Sequence, residues 1–256
     1  GSSVEGRDGE GRTPLLIAAE AGALVAVRTL LEEGADGDAP ALPPGEDGNE
    51  PPPEPLLPVV CRRGLIDRIW PLLYGQVTVR QRRRGDPDGP TPLMTAAAAG
   101  HEAVVDYLLQ NGAEVMRRDR DGFTALAYAA AFGHEGIVRV LIAAGADLDP
   151  VDHYGFRPVG VAALLGQAGA VRALAEAGAN LTAAEGFVAS FSPLHAAARY
   201  DHIDVVRALL AAGVDTEAKP CGETALEMAL NRGHVEIVSL LAGGGARIDG
   251  EGWHRL

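Results

Sequence analysis

The feature that most constrains this chain is a period. Thr91, Thr124 and Arg157 open equivalent segments, spaced 33 residues apart (91, 124, 157). Thr13, Pro55, Ser192 and Thr224 take the same place before and after them. A glycine stands nine residues past the opening position at Gly22, Gly64, Gly100, Gly133, Gly166 and Gly233. A closing pair recurs as Gly34-Ala35, Gly112-Ala113, Gly145-Ala146, Gly178-Ala179 and Gly245-Ala246. A unit this short cannot bury its own apolar surface, so it must stack on copies of itself.

Residues 119–149 carry the pattern in full and read as turn, short helix, tight corner, second helix, turn. Gly122 suits a turn that needs a permissive backbone. Thr124 can cap the first helix, its hydroxyl accepting a free amide of the first turn. Leu126, Ala129 and Ala130 give that helix a face of small residues that a neighbour can approach closely. Gly133 falls where the helix must end in a left-handed conformation. Ile137, Val138, Leu141 and Ile142 follow helical spacing, which predicts one buried face. Gly145 ends the second helix.

A Gly-x-Thr-Pro-Leu-His-x-Ala-Ala pattern at this period resembles the ankyrin repeat, and Ser192-Pro193-Leu194-His195 is its fullest match. The resemblance covers about residues 8–256. It implies an all-α solenoid of about seven helix-turn-helix units with hairpin fingers between them.

Residues 1–7 read as a tail, with Gly1-Ser2-Ser3 an expression remnant, and residues 8–36 as repeat 1. Residues 37–53 form an acidic, proline-rich insertion with nothing to bury, which reads as a solvated loop. It is either a tolerated insertion or an internal competitor for basic residues elsewhere. Residues 54–85 are a degenerate repeat 2 with a basic finger, in which Pro71 should kink the second helix. Repeats 3, 4, 5, 6 and 7 follow at 86–118, 119–151, 152–186, 187–218 and 219–248. Residues 249–256 begin an eighth unit or form a C-terminal cap. In repeat 5 the opening position is Arg157, and losing the capping hydroxyl there should cost about 1 kcal/mol. Thr224 and Glu227 in repeat 7 have the spacing of a capping box.

The net charge of −13 argues against general nucleic-acid binding, since phosphates would be repelled. Lys219 is the single lysine, leaving 21 of the 22 basic residues as arginine. Cys61 and Cys221 share no motif spacing, which predicts a reducing compartment, the cytoplasm, with the nucleus also open. No apolar run approaches the roughly 18 residues of a membrane span.

No catalytic constellation is present, and no cofactor or metal site is expected. His101, His134, His202 and His234 occupy matching positions, spread along the chain instead of converging, which predicts a structural role. Asp119-Arg-Asp121-Gly122 mimics the start of a calcium loop, but its twelfth position is Ala130 where a bidentate glutamate is needed.

The resemblance implies that partners are held by the hairpin tips and by the concave face of the first helices. Those positions lie just before the opening residue and seven to eight residues after it. One set is basic: Arg62 and Arg63, then Arg80, Arg82, Arg83 and Arg84, then Arg117, Arg118 and Arg120. Stacking would bring the three groups side by side, and arginine forks suit carboxylates and phosphates. The other set is Phe123, Phe132, Tyr154, Phe156, Phe191 and Tyr200, with Arg157 and Arg199 among them, the composition of an interface hot spot. The expected partner is another protein or peptide with an extended, acidic segment, bound by a monomer. The alternative is a targeting, substrate-receptor or regulatory segment of a larger protein such as a ubiquitin ligase, kinase or channel.

Overall fold

A computed structural model describes residues 4–9, 11–42, 89–186 and 191–247. The expected degenerate repeat 2 with its basic finger, most of the acidic loop, and the start of an eighth unit lie outside them. The described residues hold twelve α-helices and no strand beyond one isolated bridge between Glu185 and Phe191. They are α1 (Pro14–Glu20), α2 (Leu24–Glu32), α3 (Pro92–Ala99), α4 (Glu102–Gln110), α5 (Ala125–Phe132) and α6 (Glu135–Ala143). Then come α7 (Pro158–Leu164), α8 (Ala168–Glu176), α9 (Pro193–Arg199), α10 (Ile203–Ala211), α11 (Ala225–Arg232) and α12 (Val235–Gly243). Odd-numbered helices are the first of each pair and even-numbered ones the second. Helices this short are not stable alone in water and depend on packing.

The chain forms two compact units, residues 1–125 and 126–256. In the first, α1 packs directly against α3 and α2 against α4. In the second, the first helices α7, α9 and α11 form one row, and the second helices α6, α8, α10 and α12 form another. Alanines make the close approach possible: Ala96, Ala97, Ala162, Ala163, Ala197, Ala198 and Ala229 are essentially without exposed surface. Leu108, Val138, Leu141, Val171, Leu174, Val205, Leu209, Ile237 and Leu241 fill the space beneath the second helices.

Caps follow the sequence where a hydroxyl is present. Thr13 Oγ1 accepts from Leu16 N–H at 3.3 Å and Thr91 Oγ1 from Met94 N–H at 3.3 Å. Thr224 and Glu227 form the reciprocal box, with bonds of 3.1 and 2.7 Å. Ser192 differs: its hydroxyl bonds the Nδ1 atom of His195 at 2.7 Å, while the His195 Nε2–H donates to Glu223 O at 3.0 Å. The carbonyl can only accept, so the proton is on Nε2, and burial lowers the basicity of this ring.

Two ladders tie neighbouring repeats together. In the first, His101 Nε2 meets Glu20 O at 2.9 Å, His202 Nε2 meets Leu164 O at 2.9 Å, and His234 Nε2 meets Arg199 O at 3.3 Å. Each ring bonds a carbonyl at the end of the preceding first helix, which is the structural role expected of these histidines. In the second, a carboxylate accepts a backbone N–H from the next finger. Asp38 takes Glu114 N–H at 3.0 Å, Asp149 takes Asn180 N–H at 3.0 Å, and Glu217 takes Arg247 N–H at 2.8 Å. Glu5 makes the same bond to Asp36 N–H at 2.9 Å, so the segment read as a tail is part of the ladder. Each such bond contributes about 1 kcal/mol.

Candidate functional site

The site is built from the fingers and from the ends of the first helices. A turn beginning at an aspartate shapes each finger. Asp119 Oδ1 accepts from Asp121 N–H at 3.0 Å and Phe123 N–H at 2.9 Å. Asp152 Oδ1 accepts from Tyr154 N–H at 2.8 Å and Phe156 N–H at 2.9 Å. Short acidic side chains favour such local turns.

In the first unit, Arg117 and Arg120 of the expected basic set lie near acids. Arg117 lies 4.0 Å from Glu114, and Arg120 lies 3.8 Å from Asp121. Arg118 is exposed and Phe123 half-buried. Arg62, Arg63, Arg80, Arg82, Arg83 and Arg84 lie outside the described residues.

In the second unit, the aromatic set divides. Phe156 packs between fingers, because a Cβ placed on Gly186 would come 2.8 Å from its ring. Tyr154 is half-buried beside it in sequence. Phe132 stacks near His134, with centroids 6.4 Å apart. Arg157 is turned to Glu185, its Nη1 atom 3.6 Å from Oε1. Phe191, Arg199 and Tyr200 come together. The Arg199 guanidinium lies 5.3 Å from the Phe191 ring centre and 5.8 Å from that of Tyr200. Both distances are within cation–π range.

Glu185 is the residue the sequence pattern does not disclose. In repeat 5 the histidine place of the Thr-Pro-Leu-His motif is Gly160. Glu185 reaches across from the next finger, and Oε2 accepts the Arg157 N–H at 2.8 Å. It thereby does from the adjacent repeat what Glu227 does for Thr224 within one helix. Burial pushes the Glu185 carboxyl up to about 7, against the bonds from Arg157, and pushes that of Asp152 up to about 6. Asp152 Oδ2 and Glu185 Oε1 are buried without a hydrogen-bond partner among the described residues.

The second-helix face is different in kind. Arg139 bridges Glu135 at 3.0 Å and Glu176 at 2.8 Å, Arg172 approaches Glu135 at 3.6 Å, and Arg207 pairs with Glu236 at 2.8 Å. Arg232 was not among the expected site residues. It lies eight places past Thr224, at the end of α11, is exposed, and has no ion pair among the described residues. Register counting alone finds it. Among the described residues, no group of three or more His, Cys, Asp or Glu side chains is placed to hold a metal ion, and no helix is long and apolar enough to cross a membrane.

Comparison with known proteins agrees with this architecture. The family described as Ankyrin repeats (3 copies) matches at residues 57–152, 117–185 and 161–251, and the one described as Ankyrin repeat matches at 10–41. A stretch of 51 residues is 47% identical to a protein named Probable E3 ubiquitin-protein ligase XBOS33 from Oryza sativa subsp. japonica. That stretch is 20% of this chain and 10% of the relative. The repeating caps, the histidine ladder and the family matches, which together span most of the sequence, lead to one conclusion: this chain belongs to the ankyrin-repeat family.

Proposed function

We propose that this chain is a protein-recognition module that holds an extended, acidic segment of a partner along its first-helix ends and fingers, with no reaction of its own. Ankyrin repeats are protein-interaction modules, and the contrast between the two faces of the second unit supports the finer reading. On the second-helix face each of Arg139, Arg172 and Arg207 is matched by a glutamate. At the first-helix ends Phe132, Arg199 and Tyr200 remain half-exposed. Aromatic and arginine side chains at a partly dry surface are the residues that dominate interfaces. Selection of the purified chain against a phage-displayed library of random peptides tests this. Enrichment of peptides with alternating acidic and apolar residues is expected. Enrichment of basic peptides, or of none above background, would contradict it.

The second reading is that the module serves a larger ubiquitin ligase. Its support is the similarity to a probable E3 ubiquitin-protein ligase and the single lysine, Lys219, which would limit self-modification. The coding sequence on either side of these residues tests it. An adjoining ligase module supports the reading, and uninterrupted reading frames without one oppose it.

A further inference from the structure

Within this reading of the module as a binder of acidic segments, we propose that Arg199, within cation–π range of both Phe191 and Tyr200, is a dedicated carboxylate-binding site for the partner chain. A cation–π contact draws on the charge of a guanidinium and does not consume its in-plane N–H donors as hydrogen bonds. Those donors are the ones that match a carboxylate as a fork. Among the described residues, the Arg199 guanidinium makes no hydrogen bond and no ion pair. A carboxylate is near in sequence, but Asp201 turns elsewhere: its Oδ1 lies 3.5 Å from His234 Nδ1. The Arg199 carbonyl accepts from His234 Nε2–H at 3.3 Å, which fixes the end of α9 to the next repeat. Two rings beside the side chain and one bond on its backbone carbonyl restrict this residue before any ligand arrives, which lowers the entropy lost on binding.

Its setting selects the ligand. Arg157, the other arginine expected at this surface, is already opposed by Glu185. Arg232, one repeat further along at the equivalent corner, also has no ion pair among the described residues. Two unmatched guanidinium groups at successive corners, beside two half-exposed rings, fit a segment with carboxylates and apolar side chains in alternation. An isolated anion would use the charge and leave the rings uncovered.

The test is an NMR titration of the whole chain with the acetylated, amidated hexapeptide Glu-Leu-Glu-Leu-Glu-Leu, following backbone amides and the arginine Nε–H signals. The neutral analogue with glutamine for glutamate is the control. The Arg199 Nε–H signal should shift and saturate with the acidic peptide, and the glutamine peptide should bind at least about tenfold more weakly. Arg199→Ala should weaken binding about tenfold, Arg199→Lys less, with the circular dichroism of both variants unchanged. Phe191→Ala with Tyr200→Ala, which keeps the charge but removes both rings, should also weaken it. Shifts at other first-helix amides, with Arg199 unmoved and Arg199→Ala neutral, would overturn the Arg199 site and leave the module reading intact. Equal binding of both peptides would overturn the carboxylate assignment. No shift anywhere at millimolar peptide would overturn the acidic-segment reading and this inference with it.

Discussion

Glu185 occupies the volume left by the absent side chain of Gly160. A Cβ built on Gly160 would lie 2.7 Å from Glu185 Cδ and 2.8 Å from its Cγ. The glycine therefore stands inside a helix, where it is intrinsically unfavourable, because a carboxylate from the next repeat needs the space.

Helix propensity alone says that Gly160→Ala should stabilise by up to about 1 kcal/mol. The packing says the opposite: the methyl displaces Glu185 and breaks its bond to the Arg157 amide. We expect a net loss of about 1–3 kcal/mol in urea unfolding, reduced in the Gly160→Ala, Glu185→Ala double variant. A more stable Gly160→Ala protein would refute this arrangement.

The same carboxylate makes stability depend on pH. The folded-state pKa of Glu185, about 7, is above its ordinary value of 4.5, so the native state binds this proton more tightly than the unfolded chain. Its stabilising effect is fully present below 4.5 and is lost as pH rises through 7. Asp152 acts in the same sense between 3.8 and about 6. His195 acts in the opposite sense, since its lowered basicity weakens the fold as pH falls. The clean measurement is therefore a difference between proteins. Glu185→Gln should remove roughly 1–3 kcal/mol of the change between pH 5 and pH 8, and parallel profiles for the two proteins would contradict it.

Glycines of positive φ should divide by what lies above them. Gly22, at φ 66°, faces the His101 ring, and a Cβ there would come 2.5 Å from Nδ1. Gly112, at φ 88°, has nothing within 4 Å of a Cβ. Gly112→Ala should cost about 1–2 kcal/mol from backbone strain alone. Gly22→Ala should cost about 2–4 kcal/mol, because the His101 bond to Glu20 is lost as well. Equal thermal shifts for the two would show that the ring does not matter.

His195 links its own cap to the next repeat with two bonds while buried. Replacement by alanine should cost about 2–4 kcal/mol in denaturant unfolding, and a cost below about 0.5 kcal/mol would show those bonds to be dispensable.

Most of the helical architecture was legible because it depends on local chemistry. Thr13, Thr91 and Thr224 cap where a hydroxyl precedes a helix, and Gly22, Gly100, Gly133, Gly166 and Gly233 all have positive φ. The exception in residue type at that corner is Asp201, at φ 62°, where the bond from the next histidine to the helix-end carbonyl is longer, at 3.3 Å. What was not legible depends on distance in sequence. Arg157 looked like a lost cap, and only the fold brings Glu185 to its amide from 28 residues away. The direct packing of α1 on α3 was likewise hidden, since no local signal pairs two helices so far apart in sequence. At the candidate site, register counting placed Phe191, Arg199 and Tyr200 on one surface. It could not tell that Glu185 faces Arg157 while, among the described residues, no acid pairs with Arg199, because contacts between fingers leave no period.

The central claim is that recognition uses the first-helix ends and not the ion-paired second-helix face. Fluorescence anisotropy with one acidic peptide chosen from the library tests it directly. Arg199→Ala with Tyr200→Ala should lower affinity by at least about tenfold, and Arg139→Ala with Arg207→Ala should change it by less than about twofold. The reverse order, or equal effects of both pairs, would contradict the account.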